Sequence, residues 1–322
     1  MILRHSAKDV WLLGLSLLHT FSLLASAVAW PDLALLPRLG VVLVLTLMNT
    51  YSIIILAHLF THNQWFRSPV LNSAASVLHS FNIGQPMQAY HLSHVRNHHR
   101  YHNDRLGPDG QPRDRSSTFA GSTDGDHVGL LRYALLGALV TLRGEILARI
   151  GALSPWRRTA EGSSTDRASG TPIRPSERRQ MRLERAVLAL ALLILLVMRP
   201  SWVLFAYLPS FFVALVLVNI QNYFEHFGAN PETRFANSVS HYGRLYNLLT
   251  FNDGYHQEHH LRPQAHWTRM EEVRKDYAET FARHRHVVSP VPAILGFLDR
   301  RRERIDRSSP DLATSDLRGK AG

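Results

Sequence analysis

VWLLGLSLLHTFSLLASAVAW (residues 10–30) and LGVVLVLTLMNTYSIIILAHL (residues 39–59) decide the fold, because each runs 21 residues without a charge. A helix needs about 20 apolar residues to cross a hydrocarbon core. A third block, AVLALALLILLVM (residues 186–198), supplies 13. It reaches back to Leu183 only if Glu184 and Arg185 stretch toward the headgroups. After Arg199-Pro200 a fourth run, residues 201–224, is again uncharged. The pattern predicts an all-α membrane protein with four transmembrane helices in two hairpins, about 10–60 and 183–227. A buried soluble core is the weaker reading, since uncharged runs this long are rare there. Arg4 and Lys8 before a run ending in Ala25-Ser26-Ala27 also imitate a cleavable secretory signal. The run is long for a signal, however, and a second helix follows after a short turn.

Orientation follows from the basic residues. The 322-residue chain is 45% hydrophobic and 19% charged, yet carries a net charge of +11. If both hairpin turns face outward, only Arg38 and Arg199 of the 36 Lys and Arg lie outside, leaving 36 − 2 = 34 inside. Arg4, Lys8, Arg67, Arg178, Arg179, Arg182 and Arg185 meet the stricter count near helix ends. The expectation is a multi-pass protein of the cell (inner) membrane with both termini cytoplasmic. Topology then accounts for the charge, and no nucleic-acid partner is needed. The absence of cysteine excludes a disulfide framework, an iron–sulfur cluster, a cysteine-ligated haem and a thiol nucleophile.

Residues 1–300 read as one membrane domain, with a cytoplasmic helical cap from 61–182 and 228–300. Within the cap, residues 70–90 are moderately apolar and Pro86 should break any helix there. Residues 128–153 have helical periodicity interrupted by Arg132, Arg143, Glu145 and Arg149, which suits a helix lying on or dipping into the membrane surface. Residues 155–180 read as a flexible linker and residues 301–322 as a disordered tail.

Nineteen histidines are the unusual feature, and nine of them fall in four groups. These are His58 and His62 (HLFTH), then His94, His98 and His99 (HVRNHH), His226 (NYFEHFG), and His256, His259 and His260 (HQEHH). Imidazoles four residues apart share a helical face and can reach one metal, which pairs His58 with His62, His94 with His98 and His256 with His260. Adjacent histidines point about 100° apart, so one box can serve two neighbouring metals. In so histidine-rich a chain, HxxHH and HxxxHH arise together by chance in roughly 0.4% of cases. A lone histidine such as His226 often caps a helix end instead. His91, His102, His241 and His266 sit near boxes and are ambiguous.

HLFTH, HVRNHH and HQEHH, set against two helical hairpins, resemble the three histidine boxes of the membrane fatty acid desaturase superfamily. NYFEHFG is similar to the NYxEHYG motif of the related membrane alkane hydroxylases. The chain departs from those hydroxylases at Ser93, where they carry glutamate, at Phe227, and in DGYHQEHH where they read LQRHxDHH. A desaturase therefore fits better, while a hydroxylating desaturase homologue stays open. The resemblance implies that the nine boxed histidines bind two non-haem irons and that O2 is the co-substrate. Asn222 resembles an asparagine that supports such a site through water, and Glu225, Glu258, Asp253 and Asp104 are candidate acceptors for free imidazole N–H groups.

Ligand chemistry agrees, because histidine-only ligation suits a redox iron pair better than magnesium or calcium. Nine ligands also exceed what one catalytic zinc uses. The expected reaction is desaturation of a fatty acyl or lipid chain entering from the bilayer, with hydroxylation or oxidative decarboxylation as alternatives. Electrons would come from an external acidic donor such as a ferredoxin or rubredoxin, drawn to the basic face; the same arginines also suit lipid headgroups. A membrane metal carrier or sensor is the reading from another class. It would hold ionisable ligands near the bilayer midplane, where this chain offers only Asn49 and His19.

Overall fold

The computed structural model describes residues 2–107, 109–152 and 172–307. Helix α1 (Asp9–Ala29) turns through Trp30–Asp32 into α2 (Leu35–Tyr51). That helix loosens into a π-helical turn, Ser52–Ala57, and ends as α3 (His58–His62). Helix α4 (Pro69–Asn82) and α5 (Met87–Ser93) form a short hairpin. Three long helices follow: α6 (Leu130–Ala152), α7 (Pro175–Met198) and α8 (Leu208–His226). The last histidine box forms α9 (His256–Leu261).

Among the described residues, three segments are long and apolar enough to cross a membrane: Asp9–Asp32, Leu35–His62 and Pro200–His226. They contain the first, second and fourth apolar blocks. Helix α7 is 24 residues long, but its first half is too charged to join them. The spans are fastened by polar contacts, which hydrocarbon cannot weaken by competition. His19 Nδ1 of α1 lies 2.7 Å from Ser52 Oγ, and Asn49 of α2 donates to Ser210 Oγ of α8 at 3.4 Å. The midplane residues noted in the sequence thus tie helices together.

The α4–α5 hairpin is inserted between the spans. Pro86 stands at the N-cap of α5 and ends the apolar run, as expected. Asn82 accepts from Thr20 at 2.7 Å and donates to the Ser16 carbonyl at 2.9 Å, binding the hairpin to α1. Gly84 turns the tip with φ +64°, and a Cβ there would meet Phe211 of α8 at 2.7 Å. Glu184 of α7, fully buried, accepts from Ser76 Oγ, the Gln88 backbone N–H and Gln180. One carboxylate therefore joins α4, α5 and α7.

Three expectations need correction. Helix α6 does not lie flat but runs antiparallel along α8. Tyr223 donates to the Val128 carbonyl and Asn219 to that of Ala134, while Leu142 and Ile146 share a groove with Leu208 and Phe211. Buried Ala134 and Ala138, with Gly137 against Asn219, let the backbones approach, and exposed Arg132 and Arg143 sit on other faces. The expected linker is helical from Pro175, where proline at the first turn is pre-organised; its residues 155–171 lie outside the described residues. The expected tail is ordered as far as Arg307. Arg302 donates to the Phe224 carbonyl at 2.6 Å, and the N–H groups of Ile305 and Asp306 donate to that of Gly228. Residues 308–322 lie outside the described residues. A minimal parallel pair, β1 (Val239–Ser240) on β2 (Val287–Val288), is the strand content among the described residues.

Candidate metal centre

Two sets of imidazoles converge where α3, α5, α8 and α9 meet. The first contains His58, His62, His94, His99 and His259; the second contains His98, His226, His256 and His260. Within each set the ligand atoms lie within 4.8 Å of one another. In the first, His259 Nε2 is 3.0 Å from both His58 Nε2 and His99 Nε2, and His99 Nε2 is 3.1 Å from His94 Nε2. In the second, His98 Nε2 is 3.2 Å from both His260 Nε2 and His226 Nε2. Two imidazole donors at right angles, each about 2.1 Å from one transition metal, sit about 3.0 Å apart. The observed spacings fit that value.

The adjacent histidines divide as their directions predict. His98 and His99 enter different sets, and so do His259 and His260. One pairing differs from the sequence expectation: His94 joins His99 instead of His98. The reason is local, since His94–His98 is π-helical and its wider turn brings positions five apart onto one face. His58 with His62, and His256 with His260, keep the four-residue pairing. His226, the lone histidine, stands with its set, fully buried.

Several of the remaining ring nitrogens have partners of their own. His98 Nδ1 lies 2.8 Å from Asp114 Oδ2, and His226 Nδ1 is 3.0 Å from the Asn237 carbonyl. His58 Nδ1 lies 3.2 Å from the Ile54 carbonyl and 3.6 Å from Asp253. His260 Nδ1 is 3.3 Å from His102 Nδ1. Such contacts fix the ring and its tautomer, leaving Nε2 free for a metal. Both nitrogens of His62 and of His256 are buried without a hydrogen-bond partner, as befits donors awaiting a cation.

Electrostatics favours neutral imidazoles. Burial first, and then neighbouring imidazoles, lower the pKa of His94, His99, His256, His259 and His260. Only the neutral ring can ligate. Burial opposes ionisation of Asp114, but His98 and the Ser116 donors outweigh it and hold the carboxyl below its usual range.

The candidate supporting residues fare differently. Glu225 and Asp253 stand beside imidazoles, whereas Glu258 accepts from Ser240 and Tyr242 instead. Asn222 donates to Tyr133 Oη and the Ser116 carbonyl, one residue removed from His98. Asp104 braces the loop of Asp114 by accepting its backbone N–H at 2.9 Å. Of the ambiguous histidines, His102 meets the centre, while His91 contacts Thr61, His241 the Ser289 carbonyl, and His266 the buried Asp9. Asp114 went unread in the sequence because nothing in its polar loop distinguishes it. His102 was legible as a position near a box, but not as a partner of His260.

A helical membrane fold with paired polyhistidine sets defines the class. The sequence model of the family "Fatty acid desaturase" matches residues 9–292, and the chain belongs to that family of oxidoreductases. A 46-residue stretch is 50% identical to a sphingolipid delta(4)-desaturase of Candida albicans (strain SC5314 / ATCC MYA-2876). That stretch is 14% of this chain and 12% of the relative. No solved structure matches the chain at a significant level.

Proposed function

We propose that the chain is a membrane di-iron oxygenase that desaturates a fatty acyl or other lipid chain with O2. The observation that carries this reading is the convergence of nine imidazoles in two adjacent sets with metal-edge spacing. Two irons bound there would supply O2 activation and hydrogen abstraction from an unactivated C–H bond. The nine histidines would hold them; Asp114, the Asn237 carbonyl and His102 orient individual rings, and burial keeps those rings neutral. The Candida relative, named for a sphingolipid, supports a lipid substrate.

The membrane arrangement belongs to the same proposal. Residues 1–300 form a single domain whose fourth span is the apolar half of α7. Both termini and the centre face the cytoplasm, the side on which Arg4, Lys8, Arg67, Arg178, Arg179, Arg182 and Arg185 flank the spans. Reducing equivalents come from an external acidic ferredoxin- or rubredoxin-like donor. Metal analysis of the purified protein, with mass spectrometry of lipids from cells expressing it, tests the reading. Two irons per chain and a lipid lighter by two hydrogens are expected. Zinc alone, with unchanged lipids, would overturn it.

A further inference from the structure

Residues 293–307 run along the last turns of α8, beyond the residues that match the family model. Two glycines mark how close they come. A Cβ at Gly296 would collide with Phe224, and one at Gly228 with the Glu303 carbonyl. The far end of the segment is pinned as well, where Arg304 pairs with Asp126 and, at 2.7 Å, with Asp306.

Arg302 lies within this contact, its side chain only 2% exposed. A buried guanidinium is costly unless its donors are met. Here they are met in three directions. Nη1 donates to the Phe224 carbonyl at 2.6 Å, Nη2 to Ser289 Oγ at 2.9 Å, and Nε to Asp299 at 3.4 Å. The Phe224 carbonyl belongs to the last turn of α8, where carbonyls lack partners within the helix. A cation there also suits the negative end of the helix, and that helix ends at His226.

From Ser289 the bonding continues toward the last histidine box. The Ser289 N–H donates to the Ser240 carbonyl at 2.9 Å, and Ser240 Oγ accepts the N–H of Gln257, beside His256, at 3.0 Å. The elements joined through Arg302 therefore carry His226, His256 and His260, three of the four members of the second set. Of the five in the first set they carry His259. The other four, His58, His62, His94 and His99, receive no bond from residues 293–307 among the described residues.

We propose that Arg302 is a positioning residue for the second histidine set, holding the end of α8 and the β1–β2 pair where His226, His256 and His260 face His98. The proposal rests on the nine histidines being metal ligands and not on the reaction they support. General destabilisation would weaken both sets, so selectivity between them is the signature of this role.

Cobalt(II) is the probe, added to purified metal-free protein in detergent, and its affinity is read against a chelator. Two backgrounds separate the sets: His58→Ala with His62→Ala disables the first, and His226→Ala with His256→Ala the second. Arg302→Met should weaken cobalt binding at least about tenfold where the second set remains. Where the first remains, it should leave binding unchanged. Ser289→Ala cuts the link to β2 without stranding Asp299. It should show the same selectivity to a smaller degree, and it decides the matter if Arg302→Met does not fold. Equal weakening in both backgrounds, or none in either, overturns the proposal. A native chain that takes up no cobalt overturns it together with the metal centre. Selective weakening in a chain that yields no oxidised lipid would uphold the role of Arg302 and count against the oxygenase reading.

Discussion

Asp114 illustrates how much one unheralded side chain can carry. Its carboxylate meets His98 Nδ1, accepts the backbone N–H of Asn103 at 2.7 Å and takes the Ser116 hydroxyl at 2.8 Å. Those bonds hold His102 and Asn103 in left-handed backbone, φ 51° and 60°, an uncommon state for residues with side chains. The same turn sets His102 against His260. Asp114→Asn keeps the shape but removes the charge behind His98. It should lower metal affinity about 10- to 100-fold, as loss of such supporting contacts does elsewhere. Competition against a graded chelator series measures this; an unchanged affinity would reduce Asp114 to a loop brace.

At the scale of elements, the α4–α5 hairpin depends on its tip. Alanine at Gly84 must adopt a left-handed backbone and also press on the Phe211 ring. The backbone part costs about 1–2 kcal/mol, so Gly84→Ala should lower the unfolding temperature by several degrees. Phe211→Leu in the same chain should recover the steric part alone, visible as a coupling in a double-mutant cycle. Additive effects would show that the ring yields freely. The hairpin also marks the limit of what the sequence made legible. Uncharged runs identified three span-length segments, and Pro86 marked a break, because both signals are local. The histidine groups were equally legible through their spacing. What stayed hidden depends on tertiary contact: the course of α6 along α8, the docking of residues 302–306, and the π turn that moved His94 to the other set. Periodicity at 3.6 residues cannot announce a π turn.

Across the whole molecule, burying so many imidazoles makes the metal-free protein sensitive to acid. In the unfolded chain histidines take up protons near pH 6.5. In the folded one, burial pushes His102 and His127 down to about 4, and burial followed by neighbouring imidazoles depresses five of the boxed histidines as well. The unfolded state therefore binds more protons below pH 6.5, and stability falls as pH drops from 6.5 toward about 4. Melting of metal-free protein in detergent should come at lower temperature at pH 5 than at pH 7.5; equal midpoints would contradict the depressed values. The split of His98 from His99, and of His259 from His260, has a different consequence. Because each short helical segment feeds both sets, the first cation to arrive fixes backbone that the second would otherwise have to order. Loading is then cooperative, and a sample given half its complement of metal should divide into bare and doubly filled molecules, with few carrying one. Native mass spectra would display that as two dominant masses, whereas a binomial distribution would mean the two sets fill independently.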